Sequence, residues 1–193
     1  DGDAVGMLQE PATIDALKHR CESTFVPVLA ETCQCFRNIS RHKACREHLV
    51  ANGASSESEL LALCHMESDS RVLASAAAAL MNFALVPTHA AKLVGAGMVS
   101  KMLELCASCS DEKVVQFAAS GLRNLSVVDK STRKCIVQAN ATPILVDRLP
   151  GIQERRTTSS VIAVLASLCS DEEHAAAAVQ VGVVPKLITA CLS

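Results

Sequence analysis

The stretch Phe117-Ala-Ala-Ser-Gly-Leu-Arg-Asn-Leu-Ser126 constrains the fold more than any other part of the chain. Wound as a helix at about 100° per residue, it puts Val115, Ala118, Ala119, Leu122 and Leu125 on one apolar side and Lys113, Phe117, Ser120 and Asn124 on the other. The same arrangement returns as Phe36-Arg-Asn38-Ile39, Leu80-Met-Asn82-Phe83 and Leu165-Ala-Ser167-Leu168, so the Asn or Ser recurs after 44, 42 and 43 residues. A fixed period of this size marks a repeat array, in which each unit buries its apolar face only against its neighbours.

Composition narrows the architecture of the unit. Half of the 193 residues are hydrophobic, yet only four are aromatic, all of them Phe, and Ala is abundant. Small side chains suit closely stacked helices, whereas a β-sandwich draws on Val, Ile, Thr and Tyr, so the chain is expected to be all-α. A formal net charge of −2 gives no electrostatic case for nucleic acid or an anionic membrane. The longest apolar candidate for a membrane span, residues 73–86, is broken by Asn82 and followed by Pro87, and reads as a core helix.

Taken in order, residues 1–12 lack periodicity and read as the frayed remnant of an earlier unit, with a middle helix at 13–20 and a last helix at 23–40. Pro27 is tolerable in the latter because it lies in the opening turn. The next unit, 41–85, is expected to hold helices at 43–51, 57–65 and 69–85, with an Asn52-Gly53 break and Asp69 or Ser70 as N-cap. The third, 86–128, has helices at 89–95, 98–107 and 111–128; the fourth, 129–169, has them at 130–139, 143–149 and 153–169. Asn140 stands where other units have Gly97 and Gly182, and Asn tolerates the left-handed backbone of a sharp turn. Residues 170–193 supply two helices, 171–181 and 184–192, of a further unit. The array is expected to be cut at both ends, a fragment of a longer solenoid with partial units at 1–40 and 170–193.

The Ala-x-x-Leu-x-Asn-Leu ending, the period, and the Gly-plus-apolar openings Gly97-Met98-Val99 and Gly182-Val183-Val184-Pro185 resemble the armadillo repeat, a three-helix unit. The resemblance covers nearly the whole chain and implies a right-handed α-solenoid superhelix. It also implies that the Asn side of each last helix lines a concave groove. Counted back from each Asn or Ser, the position eleven earlier holds Pro27, Arg71, Lys113 and Arg156; seven earlier, Glu31, Ser75, Phe117 and Ser160; four earlier, Gln34, Ala78, Ser120 and Ala163. All lie within about 40° of the Asn on the helix circumference.

Function is expected to be that of a non-enzymatic scaffold or adaptor, holding an extended peptide or a helix of a protein partner along this groove. Asn38, Asn82, Asn124 and Ser167 would pin the partner's backbone, since a carboxamide both donates and accepts, or else each Asn bonds the backbone of the neighbouring unit, a structural role that the sequence leaves open. Arg71, Lys113 and Arg156, with Arg37 and Arg123 near the groove, would select an acidic or neutral partner; Ser120 lies beside them, and Phe117 would be the one aromatic anchor. Nuclear-import receptors of this family carry Trp where Gln34, Ala78, Ser120 and Ala163 stand here, so no aromatic stack for lysine stems is available. The alternative is a small-GTPase-binding regulator: Asn82-Phe83-Ala84, the segment Val99-Ser-Lys-Met-Leu103 and the run from Val115 to Leu125 are similar to the all-armadillo GTPase dissociation stimulators.

Other chemistries fare less well. Cys33-x-Cys35, His42 and Cys45-x-x-His48 cluster in sequence, and Cys106-x-x-Cys109 has a zinc half-spacing, but Cys33 and Cys35 point to different sides of one helix and no second pair follows Cys109. No metal or cofactor is expected, and the ten cysteines are expected to be reduced. His19, His65 and His174 lie on separate units, and no nucleophile elbow, phosphate loop or His-Glu-x-x-His is present, so no catalytic residue is assigned. The sequons at Asn38, Asn124 and Asn140 read as coincidences of the repeat. With no signal peptide visible, a cytoplasmic location is expected, compatible with nuclear or cytoskeletal association.

Overall fold

The structure, a computed structural model, describes residues 11–65 and 68–192. The expectation for residues 1–10 lies outside these. In chain order the helices are α1 (Pro11–Arg20), α2 (Val26–Arg41), α3 (Lys43–Ala51), α4 (Glu57–Leu63), α5 (Ser70–Phe83), α6 (Ala90–Gly95), α7 (Met98–Ser108), α8 (Glu112–Ser126), α9 (Lys130–Gln138), α10 (Ala141–Arg148), α11 (Arg155–Leu168), α12 (Glu172–Gln180) and α13 (Val183–Leu192). Single 3-10 turns at Pro87–His89 and Leu149–Gly151 precede α6 and follow α10. No strand occurs among the described residues. The chain is an all-α solenoid.

The long helices α2, α5, α8 and α11 stack in succession, backed by middle helices, with α4 on α5, α7 on α8 and α10, and α10 on α11. The apolar period dictates this: Phe36, Leu80, Phe83, Leu122 and Leu125 are almost completely buried, as are Met98, Met102 and Leu105 from α7. Helix α5 is buried on nearly every side, and Ala76, Ala77, Ala78 and Ala79 let α2 and α8 close on it. Gly121 does the same for α8, since a Cβ there would sit 2.9 Å from Met98 Cε and 3.6 Å from Met81 Cα. Among the described residues no single helix is long and apolar enough to cross a membrane.

Caps fix where the helices begin. Asp69, Asp111 and Asp129 accept from the amides of Arg71, Lys113 and Thr132. Glu112 caps the next unit, its carboxylate accepting from the amides of Gln153 (2.8 Å) and Glu154 (2.7 Å) at the entry to α11. Two first helices close the long helix before them: Arg46 donates to Ser40 O (2.8 Å), and Arg133 donates to Ser126 O (3.1 Å) and to Asp171. The middle helices α7, α10 and α13 open on left-handed residues, Gly97, Asn140 and Gly182. Helix α4 opens on left-handed Ser56, so the break at Gly53 is followed by a second one that a glycine pattern does not reveal.

Candidate functional site

The recurring Asn positions fall into a repeated hydrogen-bond geometry. Asn124 Nδ2 on α8 donates to Met81 O on α5 (3.0 Å), and Asn82 Nδ2 on α5 donates to Arg37 O on α2 (3.4 Å) and to Ser40 Oγ (3.0 Å). In both cases the acceptor carbonyl belongs to the residue just before the Asn position of the preceding unit. Ser167 is too short to repeat the bond. There Ser126 Oγ bridges, donating to Arg123 O (2.8 Å) and lying 2.7 Å from Ser167 Oγ. Asn82 is 6% exposed and is withdrawn from the surface, so its amide joins units rather than facing a ligand. Asn124 is half-buried and its carbonyl oxygen makes no hydrogen bond among the described residues; Asn38 is exposed and accepts from Gln34 Nε2.

Besides Asn82, Ser75 and Ala78 on the same face of α5 are covered, at 4% and 1% exposure, while Arg71 at its N-terminal end stays exposed. The cover comes from the units on either side. Gln34 on α2 accepts from Ser75 Oγ (3.2 Å), and the Arg37 guanidinium lies 5.2 Å from the centroid of the Phe117 ring on α8. Neighbouring helices pack about 8 to 10 Å apart, so α2 and α8 would stand roughly 16 to 20 Å apart across α5 in a flat layer. The Arg37 and Phe117 side chains span that distance and meet over the intervening helix. The covered part of α5 therefore lies under an Arg37–Phe117 bridge.

Beyond that bridge the face is open and its charge is uneven. Lys113, Arg123 and Arg156 are exposed, and none of these side chains pairs with a carboxylate among the described residues. Arg71 instead binds Asp69, with Nε 3.1 Å from Oδ1, and that guanidinium together with the Arg71 amide holds the Asp69 carboxyl below the usual carboxylate range. Ser120 Oγ lies 3.2 Å from Ser160 Oγ, spanning α8 and α11 in the same face.

No protein-family profile matches the sequence, and no curated protein does. Solved structures do match. A designed armadillo repeat protein in complex with the peptide (KR)4 superposes with a TM-score of 0.84 over 96% of this chain and 77% of its own, at 20% identity. An engineered protein matches with a TM-score of 0.81 over 92% and 71%, at 25% identity. A chain from work on a phosphorylation switch controlling the interaction between cadherin and beta-catenin matches all of this chain and 38% of its own, with a TM-score of 0.81 at 18% identity. The fold is that of the armadillo repeat.

One joint of the armadillo array departs from the apolar pattern. Where Met98, Ala141 and Val183 open their middle helices as buried residues, the second unit has Glu57, which is equally buried. Ser55 Oγ donates to Glu57 Oε2 (2.5 Å) and lies 3.2 Å from His89 Nε2; Lys92 pairs with the other carboxylate oxygen. Because the Ser55 proton is committed to Glu57, His89 Nε2 carries the hydrogen of this contact. Burial holds His89 below the ordinary histidine value, Glu57 opposing and Lys92 assisting. Burial pushes Glu57 up, but Lys92 and Ser55 more than offset this and its carboxyl titrates below the usual range.

Both shifts have the same sign for stability. A depressed histidine means that the unfolded chain binds the proton first, so stability is lost as pH falls below about 6.5, and the Glu57 contribution is lost further down, below about 4.5. Urea midpoints are expected to fall between pH 7.5 and 5.5, and the His89→Phe variant to flatten that segment. An unchanged pH profile in the variant would show that the loss arises elsewhere.

The thiols do not gather into a site. Cys33, Cys64 and Cys106 are buried, and burial, aided by Cys21 for Cys33, pushes each up to about 12; Cys35 is exposed on another side of α2. No cluster of three or more metal-ligating side chains occurs among the described residues. Arg37, which the sequence places near the groove with the other cations, has a partner that the sequence does not reveal. One position before Asn38, it sits about 100° round the helix from the groove axis, and only the length of its side chain brings the guanidinium onto Phe117. Phe117 is accordingly a platform for a cation rather than a bare apolar anchor.

Proposed function

We propose that this armadillo array is a non-enzymatic protein-interaction scaffold that binds an extended acidic segment of a partner along the face formed by α8 and α11. The observation that carries this reading is the set of exposed cations without carboxylate partners, Lys113, Arg123 and Arg156, on the two helices that also carry the free carbonyl oxygen of Asn124 and the Ser120–Ser160 pair. The carbonyl can accept from a partner's backbone amide, while the cations attract its acidic side chains. The designed relative holds the basic peptide (KR)4; cations without counterions would repel such a ligand here. Arg71, already neutralised by Asp69, contributes less than Lys113 and Arg156.

Fluorescence anisotropy with acidic, neutral and basic peptides tests the proposal. The acidic peptide is expected to bind best and to weaken with salt. Exposed charge pairs contribute about 0.2 to 1 kcal/mol each, so reversing Lys113 and Arg156 together to Glu should weaken binding by about tenfold through lost attraction and added repulsion, with circular dichroism unchanged. Equal or tighter binding of the basic peptide would refute the reading.

A further inference from the structure

The bridge over α5 has the makings of a binding element in its own right. Arg37 is half-buried, its Nη1 turned to Gln34 Oε1 (3.5 Å) and its guanidinium set on the Phe117 ring. No carboxylate pairs with it among the described residues, and its Nε and Nη2 make no hydrogen bond there. Gln34 is itself fixed by Ser75 and Asn38, so the guanidinium is held from one side by a hydrogen-bonded amide and from another by an aromatic face. A cation held in this way has already lost much of the rotamer freedom that a free arginine surrenders on binding, and its planar fork suits a carboxylate.

We infer that Arg37, stacked on Phe117, is a preformed seat for a carboxylate side chain of the bound segment, roofing α5 where the groove floor is otherwise closed. The inference rests on the groove reading above and adds to it a fixed position. The seat joins the first and third units, and a chain crossing it continues onto α8 and α11, where Lys113 and Arg156 hold equivalent positions one unit apart. At about 8 to 10 Å per unit and about 3.3 Å per extended residue, acidic residues should recur about every third position.

The probe is a blocked peptide with glutamate at every third position and serine and glycine between, compared with its glutamine counterpart. Arg37→Gln is expected to weaken glutamate-peptide binding by about tenfold or more and to leave the glutamine peptide unaffected. Arg37→Lys should recover only part of the loss, because it restores charge without the planar fork; Phe117→Trp should retain affinity and Phe117→Ala reduce it. In the free protein, ring-current-shifted Arg37 side-chain resonances that disappear in Phe117→Ala are expected from the stack. If Arg37→Gln binds as wild type while Lys113→Glu with Arg156→Glu weakens binding, the groove stands and the seat falls. If Arg37→Gln binds more tightly, Arg37 is an obstruction and the seat falls. Loss on Arg37→Gln with no effect of the Lys113 and Arg156 reversals would keep the seat and remove the α8–α11 face from the binding surface. A glutamate peptide that binds no better than its glutamine counterpart would remove both.

Discussion

Leu122→Ala is expected to destabilise the array by about 2 to 5 kcal/mol, the cost of lost transfer energy plus the cavity left in a site that cannot collapse. Leu122 is fully buried on α8, where Gly121 has already brought the backbones of α8 and α5 close, so the neighbouring helices have little room to move in. The comparison that gives the number meaning is Lys113→Ala, on the opposite side of the same helix, which should stay within about 0.5 kcal/mol. Urea unfolding followed at several wavelengths checks both, and divergent transitions would reveal units that part company before the array as a whole unfolds. Similar losses in the two variants would contradict the assignment of faces.

Asn82→Ala carries the next largest effect, about 1 to 3 kcal/mol. It removes the donor to Arg37 O and Ser40 Oγ from a buried joint, leaving those acceptors with fewer partners. Asn124→Ala, half-buried and with the single bond to Met81 O, should cost about 0.5 to 1.5 kcal/mol. Hydrogen exchange distinguishes a loosened joint from a general loss of stability: in Asn82→Ala, amides of α2 should open ahead of those of α8. Uniform acceleration along the chain would place the Asn82 bonds outside the joint between α2 and α5.

The helices were legible in the sequence because apolar period and capping chemistry agreed. Asp69, Asp111 and Asp129 sit where the chain turns into helix, and Asn140 takes the left-handed backbone its place among glycines implied. Ends moved by a few residues, as for 111–128 against Glu112–Ser126, whose last turn is held by Arg133 of the following unit. The working face was legible as an azimuth on each helix and not as a surface. A helical wheel treats Asn38, Asn82 and Asn124 alike, whereas Asn82 is buried by its bonds to the preceding long helix α2, and Asn38 has no earlier long helix to meet among the described residues. The same limit hid the partner of Arg37, which is met only by reaching across a whole unit. Glu57 was legible only as the start of a helix; that it would be buried follows from left-handed Ser56 putting it in register with Met98 and Ala141.

The central claim, that an acidic extended segment lies on the face of α8 and α11, is tested most directly by backbone-amide NMR during titration with the glutamate peptide. Shifts are expected to concentrate at Lys113, Phe117, Ser120, Asn124, Arg156, Ser160 and Ser167, with a further group at Gln34 and Arg37. Shifts confined to the middle helices α7 and α10, or equal shifts with a basic peptide of the same length, would contradict it.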